Sequence, residues 1–224
     1  MNENWQQFNL SDIADPLVKY SLTGGPFGSD LKSSEYTSNG VRIIQLQNIG
    51  DGFFKNDYKI YTSKEKADYL FASNIYGGEI IMSKMGDPVA RATLVPDSLG
   101  RCVMASDGIR LKVDETNFDK KFILSCINAS YFRQQAIGVS TGTTRKRIGL
   151  TSLRNLKLYV PSLPEQKKIS EIISCFDKLI DLYESSSNKK DLLASTNEGK
   201  INKLKFMRLG VLEDLLSGRK RVNI

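Results

Sequence analysis

The 224 residues contain no histidine and a single tryptophan. Without histidine there can be no Ser-His-Asp triad, no Cys-His pair, no imidazole general base and no His-ligated zinc. Cysteine is nearly as scarce. Cys102, Cys126 and Cys175 lie far apart with no CxxC among them, a pattern of buried thiols in a reducing cytoplasm rather than of a disulfide framework. No apolar run approaches the roughly 18 residues that a membrane span needs. The opening MNENWQQFNL has neither the basic nor the apolar region of a secretory signal. These absences remove the commonest catalytic equipment and turn the expectation toward a cytoplasmic binding protein, with no catalytic residues, no metal and no membrane.

What is present is an ordinary globular composition, 40% hydrophobic and 25% charged, which can build a core. Thirty-two Lys and Arg against 25 Asp and Glu leave a net charge of +7, compatible with nucleic-acid binding. The surplus is spread over both parts of the chain, so local clusters must carry any argument about partners.

Up to about residue 163, turn formers recur every eight to twelve residues: Gly24-Gly25-Pro26, Asn39-Gly40, Asp51-Gly52, Gly77-Gly78, Gly86-Asp87-Pro88 and Asp107-Gly108. The β-rich runs between them predict strands at Val41–Leu46, Glu79–Ser83, Ala92–Val95, Arg101–Ala105, Ile109–Val113 and Asn155–Val160. One helix is expected from an N-cap at Ser63 to about Asn74. Another is expected over about Asn117–Ile137, with Phe122, Ile123, Cys126 and Ile127 on one face. The fold class is α+β: one mixed α/β globular domain over residues 1–163, then a long coiled-coil-forming helix over 164–218 and a short basic tail over 219–224.

The helix expectation rests on apolar residues at Ile169, Ile172, Ile173, Phe176, Leu179, Ile180 and Tyr183, then Ile201, Leu204, Val211, Leu212, Leu215 and Leu216, with charges between. Pro164 suits a helix start and Gly218 a helix stop. A continuous rod of about 54 residues would be roughly 80 Å long and would need a partner helix for its stripe. Ser185-Ser186-Ser187-Asn188, with Gly199 and Gly210 beyond, opens the alternative of two shorter helices folded as a hairpin. The continuous or gently kinked rod is the favoured expectation, with Ile169, Ile172, Phe176, Leu179, Tyr183, Leu204, Val211 and Leu215 as its dimer contacts.

Few motifs carry chemistry. Gly24-Gly25-Pro26-Phe27-Gly28-Ser29 lacks the endings of phosphate-binding loops and reads as a turn. Asp30-Leu31-Lys32 has the D-x-K form of metal-dependent nucleases, but no acidic partner on an upstream strand accompanies it. Gly86-Asp87-Pro88-Val89 lacks the second proline and the aromatic residue of an amino-methyltransferase tetrapeptide. The informative stretch is Ser140-Thr141-Gly142-Thr143-Thr144-Arg145-Lys146-Arg147. Its cations suit phosphates, its hydroxyls and guanidinium groups can reach base edges, and glycine allows close approach of the backbone. Thr141, Thr143, Thr144, Arg145, Lys146 and Arg147 are the candidate DNA contacts. Lys32, Gln45, Asn48 and Lys84 join them as amides and amines able to reach bases or phosphates.

The chain resembles the DNA-specificity subunit of type I restriction-modification systems. The resemblance is carried by Trp5–Ile13 (WQQFNLSDI), Gly25–Lys32 (GPFGSDLK) with Glu35-Tyr36 and Gly40-Val41, and Gly77–Ser83 (GGEIIMS) with Gly86-Asp87. It continues in Leu153–Gln166 (LRNLKLYVPSLPEQ), then Ile169 and Asp177, and Leu215–Val222 (LLSGRKRV). It implies a target-recognition domain followed by a spacer helix, with no catalysis on this chain. Family members usually carry two such units, and this sequence holds one. The resemblance therefore implies a half-length form that dimerises and reads an interrupted palindrome in double-stranded DNA. It also implies docking to methylation subunits, which would hold S-adenosylmethionine, and to a restriction (motor and nuclease) subunit. No cofactor is expected here. The alternative is a coiled-coil scaffold whose α+β domain binds protein rather than DNA.

Overall fold

The computed structural model describes residues 5–187 and 194–222. Ten strands and six α-helices follow one another as β1 (Gln6–Asn9), β2 (Leu22–Gly24), β3 (Val41–Ile44), β4 (Ile60–Thr62), α1 (Lys64–Tyr69), β5 (Asn74–Tyr76), β6 (Ile80–Ser83), β7 (Ala92–Leu94), β8 (Arg101–Met104), β9 (Gly108–Leu111), α2 (Lys120–Asn128), α3 (Ser130–Gly138), α4 (Leu150–Arg154), β10 (Lys157–Val160), α5 (Leu163–Ser187) and α6 (Ala194–Leu216). The chain divides into two compact units, one of residues 7–158 and one of residues 159–222 with Trp5 and Gln6. The mixed α+β class is as the sequence predicts. All six expected strands are present, with ends shifted by a residue or two.

The first unit holds two four-stranded sheets, ordered β2-β9-β6-β7 and β4-β3-β8-β5. In the first sheet every pairing is antiparallel; in the second only β3 and β8 run parallel. The period of two in β8 decides which side chain enters which core layer. Cys102 and Met104 join Ile44, Ile75, Ile81 and Val95 in one cluster. Val103 points the other way, to Ile43, Leu31 and α1's Ala67. The turn at residues 105–107 carries the chain from one sheet into the other.

This unit also buries an ion pair. Arg110 on β9 donates through Nε and Nη2 to the two oxygens of Glu79, at 2.8 and 2.7 Å. Both side chains are under 8% exposed. Glu79 also accepts from the Tyr76 N–H at 3.0 Å, and the Tyr76 ring faces the guanidinium. Each charge is thus neutralised and hydrogen-bonded, the condition for burying ions without a large net penalty.

Helix α1 starts where expected, with Ser63 Oγ accepting from the Lys66 N–H at 3.1 Å, but it ends at Tyr69, and a 3-10 turn over Phe71–Ser73 and then β5 take up the rest of the expected span. The long helix expected at 117–137 is instead two. Ala129 is extended (φ −72°, ψ 153°) and breaks it. Asn128, the residue before the break, both accepts from and donates to the backbone of Ala92 at 3.0 Å, so tertiary bonding at the joint overrides helical continuity. The expected apolar face is correct: Phe122, Ile123, Cys126 and Ile127 are all buried.

The second unit corrects the expectation of a single rod. Helices α5 and α6 pair antiparallel, bridged by Asp177–Arg208 and Glu184–Lys205, and Glu165 near the start of α5 pairs with Arg221, which follows α6. Helix α5 is described as far as Ser187 and α6 from Ala194; within α5, Ser185 Oγ donates back to the Asp181 carbonyl at 2.7 Å. Folding back lets the stripe bury within one chain. Ile169, Ile173, Ile180, Ile201, Leu212, Leu215 and Leu216 are buried. Gly199 and Gly210 sit inside α6 without breaking it, and Gly218, at φ +69°, follows its end. Asn188, the last residue of the suspected hinge, lies outside the described residues, as do Asn223 and Ile224 of the basic tail.

Candidate nucleic-acid interface

The sheet registers bring the unit's loops to one end. In the first sheet, Gly24 pairs with Ile109, Ser83 with Gly108 and Met82 with Ala92. The segments 25–32, 84–91 and 105–107 therefore all leave from the same edge. In the second sheet Ile44 pairs in parallel with Met104, which places the 45–59 loop at that end too. The 141–147 loop is attached there by the backbone. Gly86 donates to the Lys146 carbonyl at 3.2 Å, and Ile148 to the Lys84 carbonyl at 2.9 Å. These five segments contain eight Lys or Arg and five Asp.

The basic loop is a closed hairpin. Thr141 and Arg147 exchange backbone hydrogen bonds at 2.8 Å in each direction. Gly142, at φ +90°, makes the bend, and a Cβ there would lie 2.8 Å from the Arg145 carbonyl oxygen. The loop thus projects Thr143, Thr144, Arg145 and Lys146 into solvent; all residues from 141 to 147 are exposed. Thr141 spends its hydroxyl at the base, on the Arg147 carbonyl at 3.5 Å. Arg147 is aimed by Asp107, which accepts from its Nη2 at 2.6 Å. Among the described residues, Arg145 and Lys146 have no anionic partner.

Lys84 sits beside this hairpin, half-buried, with Nζ donating to the Ser106 carbonyl at 3.1 Å. Burial pulls its ammonium below the usual lysine range; the Asp107 carboxylate opposes that, and the Arg147 charge adds to it. Gln45 is half-buried and donates its amide to the Tyr36 hydroxyl at 3.1 Å. Lys32 is exposed on the 25–32 loop, with no hydrogen bond or ion pair to the basic loop among the described residues.

Asn48 leaves the set of candidate readers. It is fully buried, its Nδ2 donates to the carbonyls of Lys55 and Tyr58 at 2.9 Å, and its Oδ1 accepts from the Gln45 N–H at 3.0 Å. An amide so committed shapes the 45–59 loop and cannot also read a base.

Two residues that sequence reasoning passes over organise the surface. Arg91 donates to the carbonyls of Ile49 at 2.7 Å and Leu46 at 3.1 Å, tying the 45–59 loop to the 84–91 loop. Asp107 orients Arg147 from forty positions away, a pairing invisible to local pattern. Between the loops lies a cleft of about 340 Å³, walled by Leu46 and Met85 and edged by Asp87, Arg91, Thr144 and Arg145. Among the described residues no group of three or more His, Cys, Asp or Glu could hold a metal ion. No helix among them is long and apolar enough to cross a membrane.

Residues 2–190 match the model of the type I restriction modification DNA specificity domain. The chain belongs to that family. It is 25% identical over 217 residues to the type I restriction enzyme MjaVIII specificity subunit of Methanocaldococcus jannaschii, covering 89% of this chain and 47% of that one. Several solved chains share the fold, among them the following. One comes from work on complex assembly and conformational transition of the type I R-M system, with TM-score 0.61, 16% identity and coverage of 96% and 46% of the two chains. The HsdS subunit from Thermoanaerobacter tengcongensis gives 0.56 at 15% identity, covering 98% and 46%. The type I S subunit from M. genitalium gives 0.55 at 17%, covering 84% and 43%. This specificity-domain chain thus spans about half the length of the relatives it matches.

The eight residues expected at a helix–helix interface now separate by environment. Ile169 and Leu215 are buried inside the helical unit, and Ile172, Phe176, Tyr183, Leu204 and Val211 are half-buried. Leu179 is exposed at 43%, together with Leu182, Phe206, Met207 and Leu209, which lie off the expected heptad positions.

Proposed function

We propose that this chain is the DNA-reading specificity component of a type I restriction-modification complex and performs no catalysis itself. The observation that carries this reading is the convergence of five loops at one end of a DNA-specificity fold, with Arg145 and Lys146, which have no anionic partner among the described residues, at their tip. Arg145 is free to pair bidentately with guanine O6 and N7, and Thr143 and Thr144 can reach either base edges or phosphates. Lys146 and Lys84 serve as phosphate contacts that fix register, with Lys32 and Gln45 on the flanks. Arg147, already held by Asp107, is presented in a fixed direction and loses little side-chain entropy on binding.

On the same reading a second copy of the chain supplies the other half of a bipartite site. Contact runs through the exposed apolar side chains of α5 and α6, with the half-buried Phe176 and Tyr183 beside Leu179. Two identical readers related by a twofold axis recognise an interrupted palindrome in double-stranded DNA. Methylation subunits, which would bind S-adenosylmethionine, and a restriction subunit complete the assembly in the cytoplasm. Support for this arrangement comes from the relatives' roughly doubled length and from the uncovered apolar surface of the helices.

The test is selection of bound duplexes from a random-sequence pool, with light scattering of the isolated chain. An interrupted palindrome and a mass near twice 25.1 kDa are expected. Recovery of no preferred sequence would overturn the reading function; a monomer would remove the basis for the palindrome.

A further inference from the structure

Phe27 is 82% exposed. Single exposed apolar residues are common on protein surfaces, so its position and its support decide whether it means anything. Three of the other exposed aromatic rings of this unit have company: Phe71 packs edge-on against Tyr20, Tyr69 lies under Lys66, and Phe53 lies under Lys55. Among the described residues Phe27 has neither a ring nor a cation for a partner.

The loop that carries it is fixed on both shoulders. Gly25 donates to the Gly108 carbonyl at 2.8 Å, and a Cβ at Gly25 would collide with the Ala105 carbonyl, so only glycine permits this approach. Pro26 restricts the next φ angle. Asp30 donates to the Phe27 carbonyl at 2.9 Å and closes the turn. Leu31 then anchors the loop in the core beside Ile43 and Val103. The ring is held out by a braced support, not left on a slack segment.

Its base stands among the cations of the candidate interface. A Cβ on Gly24 would lie 2.7 Å from Lys84 Nζ, and Gly108, bonded to Gly25, follows the Asp107 that holds Arg147. We infer that Phe27 is an apolar wedge that inserts at a base step of duplex DNA and stacks on an exposed base face while the surrounding cations hold the phosphates. Apolar wedges of this kind partly unstack a step and kink the duplex, and stacking is indifferent to sequence because every base has a π-face. The inference rests on the DNA-reading function proposed above.

The 224-residue chain already contains a reporter reference, the buried Trp5. In Phe27→Trp, the added indole emission should be quenched on saturation with duplexes recovered by selection, while Trp5 supplies a constant background. Phe27→Ala should weaken binding by about 5- to 150-fold, the range for loss of one stacked base, and leave the salt dependence unchanged because no charge is removed. Phe27→Leu, which keeps apolar bulk but loses the aromatic face, should bind with an affinity between those of the wild type and Phe27→Ala. Circular dichroism should show all three folded, since the ring stands in solvent. If the wild type binds but the introduced indole's emission is unchanged and Phe27→Ala binds within twofold, the wedge is refuted and the DNA-reading function stands. If the wild type binds no duplex in the pool, both fall.

Discussion

In residues 7–158, hydrogen-bonded neighbours come from distant parts of the chain: β3 lies between β4 and β8, and β9 between β2 and β6. In the helical unit, backbone bonding is local, and a narrow apolar seam with two ion pairs holds α5 to α6, while Glu165–Arg221 ties the start of α5 to the segment after α6. The first arrangement fixes loop ends in a rigid frame, which a surface that must present cations at set positions requires. The second leaves large apolar side chains uncovered, Phe206 at 79% and Leu182 at 65%. That suits an element completed by other helices. Both units expose apolar side chains; those of the helical unit lie along its two helices.

The two units should separate most sharply in their response to loss of the buried ion pair. Glu79→Ala leaves the Arg110 charge buried without a partner and should cost the sheet unit about 3–5 kcal/mol in urea unfolding. A loss below about 1 kcal/mol would mean that water reaches the guanidinium. Leu212→Ala, in the buried seam of the helical unit, should cost about 2–3 kcal/mol, the low end for such truncations because a two-helix seam can relax. Its effect should appear in helical circular dichroism.

At the loop tip, Arg145→Ala should lower DNA affinity by about 1–3 kcal/mol and selectively among sequences if the guanidinium reads a base. Competition among selected and scrambled duplexes measures that selectivity. Asp177→Ala removes an exposed ion pair with Arg208 and should change stability by less than about 1 kcal/mol. The smallest perturbation is chemical. A thiol reagent at neutral pH should modify exposed Cys175 first, because burial excludes it from Cys102 and Cys126 and pushes their thiols up to about 11 and about 12. Rapid labelling of Cys126 would show that the α2 core opens readily.

Much of the sheet unit is legible in the sequence because its turns announce themselves. Asn39-Gly40, Gly77-Gly78 and Asp107-Gly108 bound real strands, and Ser63 caps a real helix. The expected strands omit β1, β2, β4 and β5, of which the last three have only three residues each. The break at Ala129 depends on Asn128 meeting Ala92, which no local pattern contains. Heptad spacing in the second unit correctly marks buried positions such as Ile169 and Leu215, but the same spacing serves a rod and a hairpin equally. The charged ladder that distinguishes them pairs Asp177 with Arg208 and Glu165 with Arg221, across a fold-back that the apolar pattern does not encode.

At the candidate interface, the basic triplet is conspicuous and its exposure follows from composition. Asn48 misleads because a buried loop-shaping amide and a base-reading amide are the same residue type. Asp107 and Arg91 carry no signal in the sequence because their roles are defined only by what the fold sets opposite them.

The most direct measurement is the salt dependence of duplex binding by the wild-type chain and by the Arg145→Ala/Lys146→Ala double variant, followed by fluorescence anisotropy. Wild-type affinity should fall steeply with salt, and the variant's log–log slope should be shallower by about one unit for each cation–phosphate interaction that the substitutions remove. Identical slopes and affinities for the two proteins would contradict a DNA-reading role for this loop end.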